Sequence, residues 1–128
     1  MERSGDTRTA LAEGRRLFNA GRFFEAHEVW EAAWLREEGE MRRLLQGLIQ
    51  IAAGYHHAFD RHQAPGCVRL LRAGWERLRP LDEAVAGLAL ETFRDAVAAS
   101  LTKALAWERG ETESLSRREA PQLRVSKA

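Results

Sequence analysis

One histidine lies among glutamates and tryptophans in the segment EAHEVWEAAW, residues 25–34. His27 and Glu31 are four residues apart, so on a helix their side chains lie one turn apart on the same face. A histidine beside a carboxylate can orient a tautomer, hold a proton or supply two metal ligands. The segment is not the H-E-x-x-H zinc motif, because position 31 is glutamate. A catalytic, a metal-binding and a purely structural role therefore all stay open.

The helical wheel of this segment predicts that His27 and Glu31 face the core. At about 100° per residue, aromatic and aliphatic residues surround His27, and Glu28 lies at the edge of their arc. Aromatic residues at this spacing mark a buried stripe. We expect the pair to be buried together, because either group buried alone would be costly. The arc consists of Phe23, Phe24, Trp30, Trp34 and Leu35.

A second histidine, His56, lies in RRLLQGLIQIAAGYHHAFDRH, which is apolar around most of its helical circumference. His56 falls inside the apolar arc, whereas His57 joins Gln46 and Gln50 on a narrow polar stripe. If the two helices pack antiparallel, His27 and His56 meet. With Glu31 they would supply two nitrogens and one carboxylate, enough for a divalent metal with open positions.

Two glycines lie seven residues apart on one side of the same helix. Gly47 and Gly54 each cost up to about 1 kcal/mol relative to alanine in a helix interior. Their placement predicts the close approach of another helix. Because this side adjoins Gln46 and Gln50, the glutamine stripe faces a packed helix, a second copy of the chain, or solvent.

The elements that position these residues are predicted to be helices throughout, since Ala, Leu, Glu and Arg dominate and β-branched residues are few. Asp6 is a plausible N-cap, Gly21 a helix end, and Pro80 a stop. We predict an all-α bundle in residues 1–110, followed by a flexible or loosely docked tail in residues 111–128. The five helices are expected at about 7–19, 22–37, 40–61, 65–79 and 90–108.

Composition limits the classes of function. The 128 residues suit one soluble domain, with 45% hydrophobic and 30% charged residues. No run of apolar residues could span a membrane, and the N-terminus MERSGDTRTA is not a secretory signal. Cys67 is the only cysteine, so no internal disulfide can form. We therefore expect a cytoplasmic protein, and a net charge of +1 gives no general attraction to nucleic acid.

Two long segments, FNAGRFFEAHEVWEAAW and RRLLQGLIQIAAGYHH, resemble a family of small uncharacterised prokaryotic proteins, domain of unknown function 309. The resemblance covers about residues 14–80. It implies a compact helical bundle with no known activity, and it singles out His56 instead of His57. The most promising site is a polar cluster of His27, Glu28, Glu31, Gln46 and His56. The matching residues are Gly21, Phe23, Phe24, Glu25, His27, Glu28, Glu31, Trp34, Leu45, Gln46, Gly47 and His56.

Three functions from different classes follow from these observations. The first is a self-associating binding or structural module, a homodimer without a cofactor, since four tryptophans and two helix-interior glycines offer apolar surface beyond one core. The second is a metal-assisted, hydrolase-like enzyme using His27, Glu31 and His56, although no nucleophile is evident. The third is a weak nucleic-acid binder, against which we favour a solvated face. Its arginines would be Arg42, Arg43, Arg69, Arg72, Arg77 and Arg79.

Overall fold

The computed structural model describes residues 3–126, with side chains from Asp6 onward. Its secondary structure is helical, apart from a single bridge between Leu88 and Val125, and it confirms the all-α bundle of five helices. The helices are α1 (Arg3–Asn19), α2 (Phe23–Trp34), α3 (Gly39–Phe59), α4 (Ala64–Leu78) and α5 (Leu90–Glu108), followed by a 3-10 turn at Arg117–Glu119.

The helix ends differ most from the sequence prediction in two places. Because α1 begins at Arg3, Asp6 lies within its first turn and is not its N-cap. A carboxylate there still stabilises the helix through the macrodipole. The second helix ends at Trp34, three residues before the expected end at Glu37. The turn between α1 and α2 contains Gly21 at φ 82°, the left-handed conformation expected of a glycine at a helix end.

Helices α2, α3 and α4 form one layer, in which α3 packs against both neighbours. Helices α1 and α5 cover one side of this layer. The Phe18 ring of α1 lies 6.0 Å from the Tyr55 ring of α3 and 5.6 Å from the Phe93 ring of α5. The Tyr55 hydroxyl donates a hydrogen bond of 2.8 Å to Ser100 of α5. The main core therefore lies on the Tyr55 side of α3.

Among residues 3–126, no helix packs over the opposite side of α3. Ala53 points about 160° away from Tyr55 around the helix axis. Gln46, Gln50 and His57 share this side, and all four of these outward residues are only half-buried. Flanking residues of α2 and α4 continue the surface on both sides. We call this surface the outer face; it consists of Phe24, His27, Glu28 and Glu31 of α2, Gln46, Gln50, Ala53 and His57 of α3, and Gly66, Arg69, Leu70, Ala73 and Arg77 of α4.

Glycines bring α3 and α4 into close contact. A Cβ atom added to Gly47 would lie 2.7 Å from Leu78 Cδ2, and one added to Gly54 would lie 2.8 Å from Leu71 Cδ2. On the other helix, a Cβ on Gly74 would lie 2.7 Å from the Gly47 carbonyl oxygen. The predicted close approach of a helix is confirmed, and that helix is α4. The glutamine stripe lies beside this contact, on the outer face.

The segment after Gly110 lies against the bundle through two leucines. Leu115 is 5% exposed and Leu123 is 1% exposed. Asn19, the last residue of α1, holds the Leu123 backbone with two hydrogen bonds: its amide nitrogen donates to the Leu123 carbonyl (3.0 Å), and its oxygen accepts from the Leu123 N–H (2.7 Å). These contacts join the segment to α1, although its polar composition predicts a flexible or loosely docked tail.

Candidate functional site

A small pocket of about 190 Å³ opens on the outer face between α2 and α3. Its chemistry comes from three histidines and one arginine, with an aromatic ring at its edge. Two of the five residues of the predicted polar cluster, His27 and His56, line it. The lining residues are Phe24, His27, Ala53, His56, His57 and Arg61.

His27 lies at the border between the core and the outer face. Its Nδ1 atom is buried and has no hydrogen-bond partner within the described chain. The Phe24 ring stacks on the imidazole, with centroids 5.9 Å apart and an interplanar angle of 17°. His27 is therefore half-buried, and its partner is an aromatic ring instead of the predicted Glu31.

The prediction that His27 and Glu31 are buried together is wrong. Glu31 and Glu28 are both exposed, and neither forms a hydrogen bond with His27 within residues 3–126. The predicted apolar arc was too wide, because Phe24 is 49% exposed and Leu35 is 69% exposed. The residues of α2 that are buried are centred about 80° from His27, on the side away from Glu31, so Glu31 faces solvent. The buried face of α2 is Phe23, Ala26, Trp30 and Ala33.

His56 lies at the rim of the pocket, not deep in the core as predicted. Its side chain is 22% exposed, and its Nδ1 atom lies 2.8 Å from the Asp60 carboxylate. The other Asp60 oxygen accepts a hydrogen bond of 2.8 Å from Arg117 of the C-terminal segment. The Phe24 ring lies 5.3 Å from the His56 ring and separates this chain of contacts from His27. His56 thus helps to anchor the C-terminal segment.

His57 was not included in the predicted cluster, although it lines the pocket. Its Nδ1 atom is buried without a partner in the described chain, and a Cβ on Gly66 would lie only 2.3 Å from it. Burial lowers the pKa of His57, a side-chain hydrogen bond to Gln63 opposes this shift, and the positive charge of Arg61 lowers the pKa further. Its place on the stripe with Gln46 and Gln50 is the sequence signal that could have identified it.

The depressed pKa of His57 predicts a pH-dependent stability. The unfolded chain, with a histidine pKa of about 6.5, binds the proton more readily than the folded chain. The contribution of His57 is therefore fully present above about pH 6.5 and is lost as the pH falls through the folded-state pKa. We expect the free energy of unfolding to fall from pH 7.5 to 5.5, and to fall less in His57→Gln. Urea unfolding measures both; an equal fall in the two proteins would contradict the assignment.

The candidate metal ligands do not form one site. Within residues 3–126, no group of three or more His, Cys, Asp or Glu side chains is placed to hold a metal ion. Glu31 points to solvent, and His56 is engaged by Asp60. Gln46 is half-buried on the outer face, outside the pocket lining. Burial raises the pKa of the Cys67 thiol to about 12, which is typical of an unreactive cysteine.

Five side chains contain a buried polar atom without a partner in the described chain, and three of them, His27, Gln50 and His57, lie on the outer face. The atoms are His27 Nδ1, Trp30 Nε1, Trp34 Nε1, Gln50 Oε1 and His57 Nδ1, of which Trp30 Nε1 lies in the core. Each such atom costs about 1–3 kcal/mol unless water or a binding partner completes its hydrogen bonds. The Arg42 guanidinium lies over the Trp34 ring, 4.1 Å from the ring centroid. Three of these five unsatisfied groups therefore lie where the layer lacks a cover.

Together, these observations define a small all-helical bundle with a histidine-lined pocket on its outer face. A family model described as Domain of unknown function (DUF309) matches residues 11–70. The matched segment contains α2, α3 and the pocket, and it confirms the resemblance seen in the sequence. No curated protein matches the chain. Within the described residues, no helix has the length and apolar character needed to cross a membrane.

Proposed function

We propose that this protein is a self-associating binding module that forms a two-fold symmetric dimer through its outer face. The observation that carries the proposal is that three of the five unpartnered buried polar atoms of the described chain lie on this one face. Atoms such as Gln50 Oε1 and His27 Nδ1 are shielded from solvent but lack hydrogen-bond partners within the described chain. A facing surface with donors and acceptors would complete them.

The outer face also has the shape and apolar content of an interface. Phe24 is 49% exposed beside the pocket. Because Ala53 and Ala73 have small side chains, little protrudes from the surface of α3 and the adjoining edge of α4. Another helix can therefore approach this surface closely. Leu70 is half-buried in the same region. Aromatic residues placed over small ones are typical anchors at the centre of interfaces.

The charges at the two edges of the outer face favour a second copy of this chain as the partner. The α2 edge carries Glu28 and Glu31, and the α4 edge carries Arg69 and Arg77. None of the four forms an ion pair within the described part of the chain. A surface with an acidic edge and a basic edge is complementary to itself, as an interface between identical subunits requires.

The arrangement of these charges also selects the orientation of the two-fold axis. An axis parallel to α3 would place the acidic edge of α2 over the basic edge of α4 in the partner. An axis across the layer would place α2 over its own copy, with Glu28 and Glu31 facing like charges, which is unfavourable. The proposed dimer therefore has the two α3 helices side by side and parallel.

The test is to place a charge on the outer face, at the exposed Phe24 ring beside the pocket. Phe24→Glu should raise the dimer dissociation constant at least tenfold, because the lost burial of one phenylalanine, worth about 1.5–3 kcal/mol, occurs in both subunits. Sedimentation equilibrium over a range of concentrations measures this constant. The matched control is Ala99→Glu on the exposed surface of α5, which should leave the constant unchanged.

Two results would contradict the proposal. One is a wild-type chain that stays monomeric at several hundred micromolar. The other is a dimer whose dissociation constant is the same in the wild-type protein, Phe24→Glu and Ala99→Glu, since the interface would then lie elsewhere.

A further inference from the structure

A second cavity, of about 530 Å³, lies at the other end of the molecule, away from the outer face. Its volume falls in the range of about 300–1,000 Å³ found for small-molecule sites. Most of its wall is apolar, and two arginines contribute positive charge. Its lining residues include Arg8, Leu11, Arg15, Met41, Leu88 and Val125.

The C-terminal segment builds one wall of this cavity. The Leu88–Val125 bridge is fixed by two backbone hydrogen bonds: Ala89 N–H donates to the Arg124 carbonyl (2.8 Å), and Ser126 N–H donates to the Gly87 carbonyl (2.7 Å). Val125 is held at the cavity with 55% of its surface exposed. Folding alone leaves much of this apolar side chain in contact with water, and a bound apolar molecule would cover it.

Backbone strain occurs in the same wall. Ala86 lines the cavity and has φ 63°, a left-handed conformation that costs a residue with a Cβ atom about 1–2 kcal/mol. Strained residues of this kind persist where the surrounding structure holds them, and they occur frequently at ligand sites. The strain therefore supports a binding role for the cavity independently of its volume.

The polar groups of the cavity favour an anion at one end. Arg8 and Arg15 lie seven residues apart and so project from the same face of α1. Arg8 forms no ion pair within the described residues, and Arg15 donates one N–H to the Leu123 carbonyl (3.2 Å). Glu37 also lines the cavity, and its carboxylate accepts a hydrogen bond from the neutral Thr7 hydroxyl, so its negative charge remains. The two arginines outnumber this one acid, and the resulting net positive charge lies on α1, next to the apolar wall.

We infer that this cavity binds a small amphipathic carboxylate, with an alkyl chain against Leu11, Met41 and Leu88 and the carboxylate at Arg8 and Arg15. The guanidinium group is suited to this head group because its fork of donors matches the two carboxylate oxygens. The apolar wall supplies the affinity for the chain, and the arginines select its charge.

Titration of ¹⁵N-labelled protein with octanoate, followed by amide chemical shifts, tests the inference. Octanoate should cause saturable shifts at Leu11, Met41 and Leu88. Arg8→Gln should weaken octanoate binding at least fivefold, but it should change the binding of the neutral analogue 1-octanol less than twofold. Arg16→Gln is the matched control, since Arg16 lies on the same helix, pairs with Glu13 and does not line the cavity; it should leave octanoate binding unchanged.

A cavity-filling variant provides the second arm of the test. Ala12→Phe projects a ring from the lining residue Ala12 and should weaken both octanoate and 1-octanol at least fivefold while leaving dimer dissociation unchanged. The inference is overturned if octanoate at 10 mM produces no saturable shifts at the lining amides. It is also overturned if Arg8→Gln binds octanoate as tightly as the parent, a result that does not depend on how Ala12→Phe folds.

Discussion

Reversing the charges of one edge of the outer face should dissociate the dimer, and reversing both edges should restore it. Glu28→Lys with Glu31→Lys places two cations opposite Arg69 and Arg77 of the partner, and symmetry repeats the contact. We expect a loss of about 2.7 kcal/mol, or a dissociation constant about 100-fold higher. Arg69→Glu with Arg77→Glu should raise the dissociation constant by a similar factor, because the new acids would face Glu28 and Glu31 of the partner subunit.

The combination of all four reversals distinguishes a specific contact from a general loss of stability. With both edges reversed, each acid again faces a base, so the dissociation constant should return to within about tenfold of the wild-type value. Sedimentation equilibrium at two salt concentrations measures it, and the effects should shrink at high salt as screening increases. If the fourfold variant dissociates as readily as either double variant, the edges do not face each other.

Gly74→Ala should destabilise the folded chain by about 2 kcal/mol. The added Cβ would lie 2.7 Å from the Gly47 carbonyl oxygen and 3.0 Å from the Ile51 backbone nitrogen, atoms that cannot move aside without separating α3 from α4. Overpacking of this kind costs about 1–3 kcal/mol or more. The gain in helix propensity, about 1 kcal/mol, offsets only part of that cost. Urea unfolding measures the change in the free energy of unfolding.

Gly87→Ala is the control for this prediction. A Cβ on Gly87 would meet nothing within 4 Å, but its φ of 65° is left-handed, so the expected cost is about 1 kcal/mol from strain alone. The comparison separates steric contact between two helices from the general effect of replacing glycine. A Gly74→Ala variant as stable as the parent would mean that α3 and α4 do not pack this closely.

The sequence predicts the helices well because their signals are local. The stripe of large apolar residues in α3 and the pair Gly47 and Gly54 depend only on spacing along one helix. Both features predict correctly that α3 is a central helix with a close neighbour. Which helix makes that contact is a question of tertiary structure, and the sequence leaves it open.

The candidate site was predicted less well because a helical wheel assumes that every aromatic residue faces the core. Phe24 and Leu35 violate this assumption, and including them places Glu31 inside the protein. The exposure of Phe24 also supports the outer face as an interface. The wrong placement of Glu31 and the evidence for a binding surface therefore have the same cause. His57 was overlooked because its burial comes from Gly66 on another helix, which no wheel of α3 contains.

The C-terminal segment shows a different limit of sequence analysis. Its composition is polar and aperiodic, which is typical of a solvated tail. Its contact with the bundle depends on Leu115 and Leu123 and on hydrogen bonds from Asn19, more than a hundred residues before Leu123 in the chain. The division of the chain at residue 110 stays a prediction, as does the cytoplasmic location.

The central claim is that two copies associate through their outer faces with parallel α3 helices, and cysteine cross-linking tests it most directly. Under a two-fold axis parallel to α3, both Ala53 and Gln46 lie near their own equivalents in the partner. We therefore predict that Ala53→Cys and Gln46→Cys each form covalent dimers with a short bismaleimide. Ala99→Cys and the wild-type chain, whose Cys67 is buried, should stay monomeric on denaturing gels. The absence of covalent dimers from both outer-face variants, at concentrations where the protein sediments as a dimer, would contradict the account.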